Sequence, residues 1–328
     1  MTKENFLNKF KSEQKLKFNA GFQNWWTEFI FHYNDLHNIV SILNSGKLYS
    51  RNKAKSLGLL QVDIADDEVI SHTNIAVYDH VRFYFGAKTP TLFHNEGIKP
   101  LDEIRNNAHC PVPVFLLFDF VKILSLDDIY FSNGNVGVSS PEIYNDINFL
   151  PNLEWNYIYH RNSLFGFPPE SVRHIVYCRN AEVLIKNEIN IYNFLRWVCV
   201  KSEADKETLL FLSSNETRDK IKNKIKVFTQ DGLFHNRQLY LNEIRLNRNI
   251  INMNFININD KKFSLDVKAT SIADSKMIEG NIIDYKITSN LTWDINNLNT
   301  SKGVHFIFKI DGNIIYNNII FDINEILI

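Results

Sequence analysis

Residues 173–189, RHIVYCRNAEVLIKNEI, read as an apolar β-strand with a carboxylate, Glu182, set inside it. An ionised carboxylate in such a run loses hydration that a surface glutamate keeps, so a partner or a function must compensate for it. A fold for this chain has to be built around that requirement. The residue alone leaves two readings open, a paired structural glutamate or a catalytic one.

The rest of the chain can supply the surrounding core. Its 328 residues include 25 Phe and 13 Tyr, with 45% hydrophobic and 22% charged residues, which excludes a disordered chain. The length fits one large domain or a catalytic domain with an appendage. With 36 basic against 37 acidic residues there is no global field for indiscriminate nucleic-acid binding, so any such contact needs a local patch. The opening MTKENFLNKFKSEQKLKF lacks the continuous apolar core of a signal peptide, and no run approaches about 18 apolar residues, so a cytosolic protein with no membrane partner is expected. Cys110, Cys178 and Cys199 show no CxxC spacing; they are expected to be buried free thiols, with no metal bound.

Periodicity divides the chain into three zones. Residues 1–28 form a helical lead-in, 29–237 a mixed body and 238–328 a small β-rich module. Within the body, FIFHYNDLHNIVSILNSGKLYSR (29–51) reads as strand, helix and turn: Leu36, Ile39, Val40 and Leu43 recur at helical spacing and Gly46 stops the helix. Residues 52–75 lose periodicity and read as a long loop or short helices. Strand-like runs follow at 75–86, 112–120, 128–133, 174–185 and 194–202, with helical pieces at 141–160 and 203–225. In the last zone, apolar and polar residues alternate around Asp-Lys and Asp-Gly pairs, the signal of hairpins. No glycine-rich phosphate loop is present.

The segments FIFHYNDLHNIVSILNSGKLYSR, YDHVRFYFGAKTPTLF and RNAEVLI resemble, in order and spacing, three signature blocks of the DarT family of nucleic-acid ADP-ribosyltransferase toxins. Those blocks read roughly I-Y-H-I-T with a helix ending at glycine, H-D-Y-V-P-F-Y-F followed by R-S-P-M-L, and Q-A-E-F-L. The likeness spans about residues 29–205. It implies an α+β fold with a split, twisted ADP-ribosyltransferase β-core, surrounding helices and NAD as co-substrate in the cleft. It places Glu182 on the catalytic glutamate, His32 on the NAD-binding histidine with Tyr33 beside it, and Phe83, Tyr84 and Phe85 on the aromatic strand next to the nicotinamide. Lys88 and Thr89, after that strand, become substrate-facing.

In such chemistry a carboxylate stabilises the oxocarbenium-like ribose left when nicotinamide departs, and it or a neighbour accepts a proton from the attacking base. Arg51, Lys53 and Lys55 offer a basic stretch suited to the NAD pyrophosphate or a nucleic-acid phosphate. One departure concerns the acceptor. DarT-type sequences that target thymidine usually carry arginines just before the second block, where this chain has Ser71, His72 and Thr73, and His72 is the candidate replacement. The expected function is transfer of ADP-ribose to a base of single-stranded DNA, with RNA or protein as alternative acceptors and a degenerate binding module as the non-enzyme alternative. Expected partners are the nucleic acid and an antitoxin, either a macrodomain hydrolase or a blocking protein, with a chaperone as a further candidate for the C-terminal module.

Overall fold

The computed structural model describes residues 1–18, 21–60, 75–137, 141–229 and 232–324. Helix α1 (Lys3–Lys17) is capped by Thr2, carries Glu4 in its first turn and Lys15 and Lys17 in its last, and buries Leu7 and Phe10. Phe10 lies 5.4 Å from Trp155, so the helical lead-in packs on the body. The other helices among the described residues are α2 (Leu36–Ser45), α3 (Arg51–Ser56), α4 (Pro90–Asn95), α5 (Phe120–Leu124), α6 (Trp155–Ile158), α7 (Pro169–Cys178), α8 (Glu203–Leu212) and α9 (Asn215–Ile221). Among the described residues no helix is long and apolar enough to cross a membrane.

The body is organised by strands β1 (Phe29–Asp35), β3 (His80–Tyr84), β4 (Pro113–Asp119), β5 (Ile129–Ser132), β6 (Ile143–Tyr144), β7 (Glu182–Lys186), β9 (Leu195–Val200) and β10 (Ile225–Val227). They form one sheet in the order β10-β9-β4-β1-β3-β7-β5-β6, while β2 (Lys47–Tyr49) pairs separately with β8 (Glu188–Asn190). Strand β1 pairs with β4 from Phe29↔Asp119 to Asp35↔Pro113, yet with β3 only at Phe31↔Tyr84. On the other side, β3 pairs with β7 from His80↔Lys186 to Tyr84↔Glu182. Two well-laddered halves thus meet at one point, and the split runs beside β1.

The strand, helix and glycine stop expected over 29–51 are all present. Asp35 ends β1 and accepts from the His37 N–H to cap α2, whose buried face carries Leu36, Ile39, Val40 and Leu43. Gly46 closes the helix at φ 69°, a conformation that glycine adopts without strain. Residues 174–185 differ from expectation. The opening strand reading holds only from Glu182: Pro169 starts α7, which runs to Cys178, and a turn at 179–181 precedes β7. The apolar residues Ile175 and Cys178 lie one helical turn apart on a buried face, a spacing that a continuous apolar run conceals. Between 141 and 160 the structure has β6, a 3₁₀ turn at Ile147–Asn152 and the short α6, in place of longer helix.

The C-terminal part is two sheets. One contains β11 (Tyr240–Asn247), β12 (Ile250–Ile256) and β15 (Asn290–Asp294); the other contains β13 (Lys262–Ser271), β14 (Met277–Lys286), β16 (Val304–Ile310) and β17 (Asn313–Ile320). The Asp311-Gly312 pair makes the expected hairpin, with φ of 47° and 78°, and Arg248-Asn249 makes another, with φ of 46° and 63°. The Asp260-Lys261 pair does not. It joins β12 to β13, which lie in different sheets. Tyr316 of β17 donates to Glu207 of α8 at 2.6 Å, and a continuous set of buried side chains runs from Leu7 to Ile320.

A buried ion pair fastens this part near the body. Glu96 and Lys201 are 2% and 1% exposed, with Nζ and Oε1 2.8 Å apart. The same carboxylate accepts from the backbone N–H groups of His235 and Asn236 at 2.7 and 3.0 Å. Removing one member of such a pair leaves an uncompensated charge, at a cost of about 3–5 kcal/mol. Glu96→Ala is expected to lose that much in urea unfolding, and more than Lys201→Met, because the carboxylate alone also holds two main-chain donors. Equal losses would show that those donors find other acceptors.

Candidate active site

Glu182 opens β7 opposite Tyr84, and none of its surface is exposed. Its partner is Arg82, two residues before Tyr84 and therefore on the same face of β3. The guanidinium spans both carboxylate oxygens, Nε donating to Oε2 at 2.5 Å and Nη2 to Oε1 at 2.7 Å. This planar, two-bonded contact fixes the direction of the carboxylate. Burial opposes the Arg82 charge, but Glu182 overrides it and holds the guanidinium above its ordinary value, so Arg82 stays a cation. A carboxylate has about four acceptor positions; Arg82 uses two of them and the Val136 N–H approaches Oε1 at 3.5 Å, which leaves one without a protein donor.

The main chain of Glu182 is held as well. Its N–H donates to Ser132 Oγ at 3.0 Å, and that hydroxyl donates to Gly134 O at 2.6 Å. Gly134 lies against the Tyr177 ring, where an added Cβ would stand 2.3 Å from a ring carbon. The Tyr177 hydroxyl donates to Asn133 Oδ1 at 2.8 Å, and the Asn135 N–H to the Tyr177 carbonyl at 3.1 Å. The SNGNVG stretch after β5 is thus a strap behind the glutamate.

At the split, His32 places Nδ1 3.0 Å from the Arg82 carbonyl. A carbonyl only accepts, so Nδ1 carries the proton and Nε2 is an acceptor. Nε2 is buried and has no hydrogen-bond partner. Burial pushes the imidazole down to about 4, against the opposing bond to Arg82, so the ring is neutral at physiological pH. A buried, unpartnered acceptor beside the interrupted β1–β3 ladder suits a hydroxyl of a bound ligand. Tyr33 stacks on Tyr84 with ring centres 6.1 Å apart and planes 19° from parallel. Burial and then Glu182 raise the Tyr84 phenol to about 12, keeping it an O–H donor.

The sequence model of one family, described as DarT, ssDNA thymidine ADP-ribosyltransferase, matches residues 31–234. The chain belongs to the DarT family. It is therefore an NAD-dependent ADP-ribosyltransferase with the α+β fold that the three blocks imply. Solved structures of Thermus sp. 2.9 DarT are similar to it at 19% identity, each over 61% of this chain. The complex with ADP-ribosylated ssDNA has a TM-score of 0.48 over 94% of that chain, and the complex with NAD+ 0.44 over 92%. The complex with carba-NAD+ also gives 0.44, over 93%. No curated protein matches.

The structure gathers some of the residues singled out by the DarT blocks and separates others. Glu182 lies opposite Tyr84, on which Tyr33 stacks, and His32 reaches the Arg82 carbonyl at the split with its ring 6.1 Å from Phe83. Phe83 and Phe85 are fully buried, packing 5.3 Å from Phe118 and 5.0 Å from Trp155, so they support the site from behind. Arg51 opens α3 with its guanidinium 6.0 Å over the Tyr78 ring. Lys53 is ion-paired to Glu188 at 2.5 Å. Burial lowers Lys88 to about 8, helped by Arg161 and Arg179, and its carbonyl accepts from Arg179 Nη2 at 3.3 Å. Thr89 is fully buried and its hydroxyl caps α4 through the Leu92 N–H. His72 lies outside the described residues.

Arg82, the partner of Glu182, is the residue of the candidate site that sequence reasoning passed over. It stands in YDHVRFYF where the DarT block has proline, which can carry no charge. The signal was one cation in an apolar strand. Its meaning depends on the register of β3 against β7, since the ion pair joins residues 100 positions apart.

The buried neutral His32 links stability to pH. An unfolded imidazole titrates at about 6.5, whereas folded His32 titrates at about 4. Between these values the unfolded chain binds the additional proton, so this contribution is intact above the upper value and is lost as pH falls toward the lower one. Denaturation midpoints measured across that window are expected to fall with acid, and less steeply in His32→Gln. An unchanged slope in that variant would refute the linkage.

Proposed function

We propose that this protein cleaves the nicotinamide–ribose bond of NAD and transfers ADP-ribose to a base of single-stranded DNA. The observation that carries this reading is the buried Glu182 carboxylate aimed by the Arg82 side chain, while the Arg82 carbonyl holds His32 with its Nε2 unpartnered. In the reaction nicotinamide leaves with the electron pair of the glycosidic bond. Glu182 stabilises the positive charge that develops on the ribose, a base nitrogen or oxygen forms the new bond to the anomeric carbon, and the base proton passes to Glu182 or to solvent. His32 accepts from an NAD hydroxyl and the Tyr33–Tyr84 stack flanks the nicotinamide. Arg51 faces a phosphate of NAD, and the Lys88 region, where Arg161 and Arg179 add positive charge, faces the nucleic-acid backbone. His72 remains the candidate for activating the base.

Glu182→Gln preserves shape while removing charge. It is expected to fold, with reduced stability because Arg82 loses its counter-ion, and to lose at least about a hundredfold in transfer of labelled ADP-ribose, the scale of one electrostatic stabiliser. Offering single-stranded DNA, single-stranded RNA and protein side by side distinguishes the acceptors; label on protein or RNA alone would overturn the DNA assignment. Near-normal transfer by Glu182→Gln would overturn the catalytic one.

In this reading the enzyme is a cytosolic toxin of a toxin–antitoxin or phage-defence system. The body, 29–237, carries the chemistry, and residues 238–328 engage a macrodomain hydrolase, a blocking antitoxin or a chaperone. The edge strand β14, which exposes Met277 and Ile283, suits a protein partner better than a phosphate backbone. Induced expression of the soluble protein is expected to arrest growth, and Glu182→Gln to relieve the arrest. Unchanged growth with active, soluble enzyme would sink the toxin assignment.

A further inference from the structure

We propose that Glu154, His174 and Cys178 form a binding site for a thiophilic divalent cation of the Zn2+ class, outside the NAD cleft and independent of the reading above. His174 and Cys178 are four residues apart on α7, which puts them on one helix face, and Glu154 comes from the residue that precedes α6. His174 Nε2 lies 2.5 Å from Glu154 Oε2 and 3.8 Å from Cys178 Sγ, and Sγ lies 3.8 Å from the same Oε2. A point equidistant from these three atoms sits about 2 Å from each; the 2.5 Å contact between Nε2 and Oε2 is a hydrogen bond, and a tetrahedral cation would take its place by spreading these two half-exposed ligands to about 3.3 Å.

The direction of the contacts separates this site from a nucleophilic triad. A Cys-His-Glu relay uses the two ring nitrogens for different partners. Here both the thiol and the carboxylate meet Nε2, which is convergence on a point. Cys178 is also 1% exposed, out of reach of a substrate, whereas His174 and Glu154 side chains are 49% and 44% exposed and leave the site open on one side for a cation and a water ligand. Helix spacing brings the thiol to His174 and a weak S–H donation brings it to Glu154, so with no cation bound the three groups already sit together around one point. Thiolate and carboxylate together balance a dication, with neutral imidazole as third ligand. With no cation bound, burial and the neighbouring Glu154 raise the Cys178 thiol to about 12, and a bound metal would reverse that by displacing the thiol proton.

The location gives the site a consequence. Cys178 follows Tyr177, whose hydroxyl and carbonyl hold the strap behind Glu182, and precedes the turn into β7. A cation tying α7 to the start of α6 would brace the base of that strap.

The test is metal uptake by the full-length protein after chelator treatment. The chain is expected to take up one equivalent of Zn2+ against a chromogenic chelator, and Co2+ is expected to give the near-ultraviolet charge-transfer band of a cobalt–thiolate bond. Cys178→Ser should abolish the band, while Cys110→Ser and Cys199→Ser retain it. Since Cys178 is buried, the half-exposed His174→Gln provides a second arm, losing stoichiometric uptake with unchanged circular dichroism. Absence of stoichiometric uptake, or a thiolate band that survives Cys178→Ser, overturns the site.

Discussion

The ion pair between Arg82 and Glu182 sets the terms for the rest of the structure. A carboxylate with no exposed surface is tolerable in the middle of a sheet only when a cation meets it with good geometry, and the two bonds at 2.5 and 2.7 Å provide that. The pairing requires β3 and β7 to be neighbours in the observed register, which in turn places Tyr84 level with Glu182. Because Arg82 also offers its carbonyl to His32, the same residue connects the half of the sheet that carries Glu182 to the half that contains β1.

The split follows from the same arrangement. Beyond Phe31↔Tyr84 the ladder between β1 and β3 gives way to a side-chain contact, and the histidine in that gap keeps one nitrogen for the protein and one without a partner. A continuous ladder would have closed the cleft. The aromatic residues around it divide by strand alternation: Tyr84 faces the site, while Phe83 and Phe85 belong to the core that keeps it rigid.

Support behind the glutamate comes from the segment that follows β5. The Ser132–Gly137 strap is fixed by a serine hydroxyl, a glycine with no room for a side chain and a tyrosine from α7. The helix ending in Cys178 is therefore part of the machinery that holds Glu182, which is why a cation site on its outer face would bear on the catalytic strand.

Much of this was legible in the chain itself. The strand–helix–glycine unit over 29–51 and the three ordered blocks identified the fold class and the family, and the carboxylate in an apolar run singled out Glu182 as a residue needing a partner, because each is a local pattern in which periodicity or residue type carries the information. The helix hidden in 169–178 escaped because Ile175 and Cys178 also fit an apolar strand, and local spacing cannot choose between them until a core is present to bury one face. The Asp260-Lys261 pair looked like a hairpin because a turn signal does not say which sheet the next strand joins. Arg82, the strap and the convergence of Glu154 on His174 and Cys178 were decided by tertiary structure alone. They depend on strand register and on contacts between residues as many as 100 positions apart, and such contacts exist only once the core has packed.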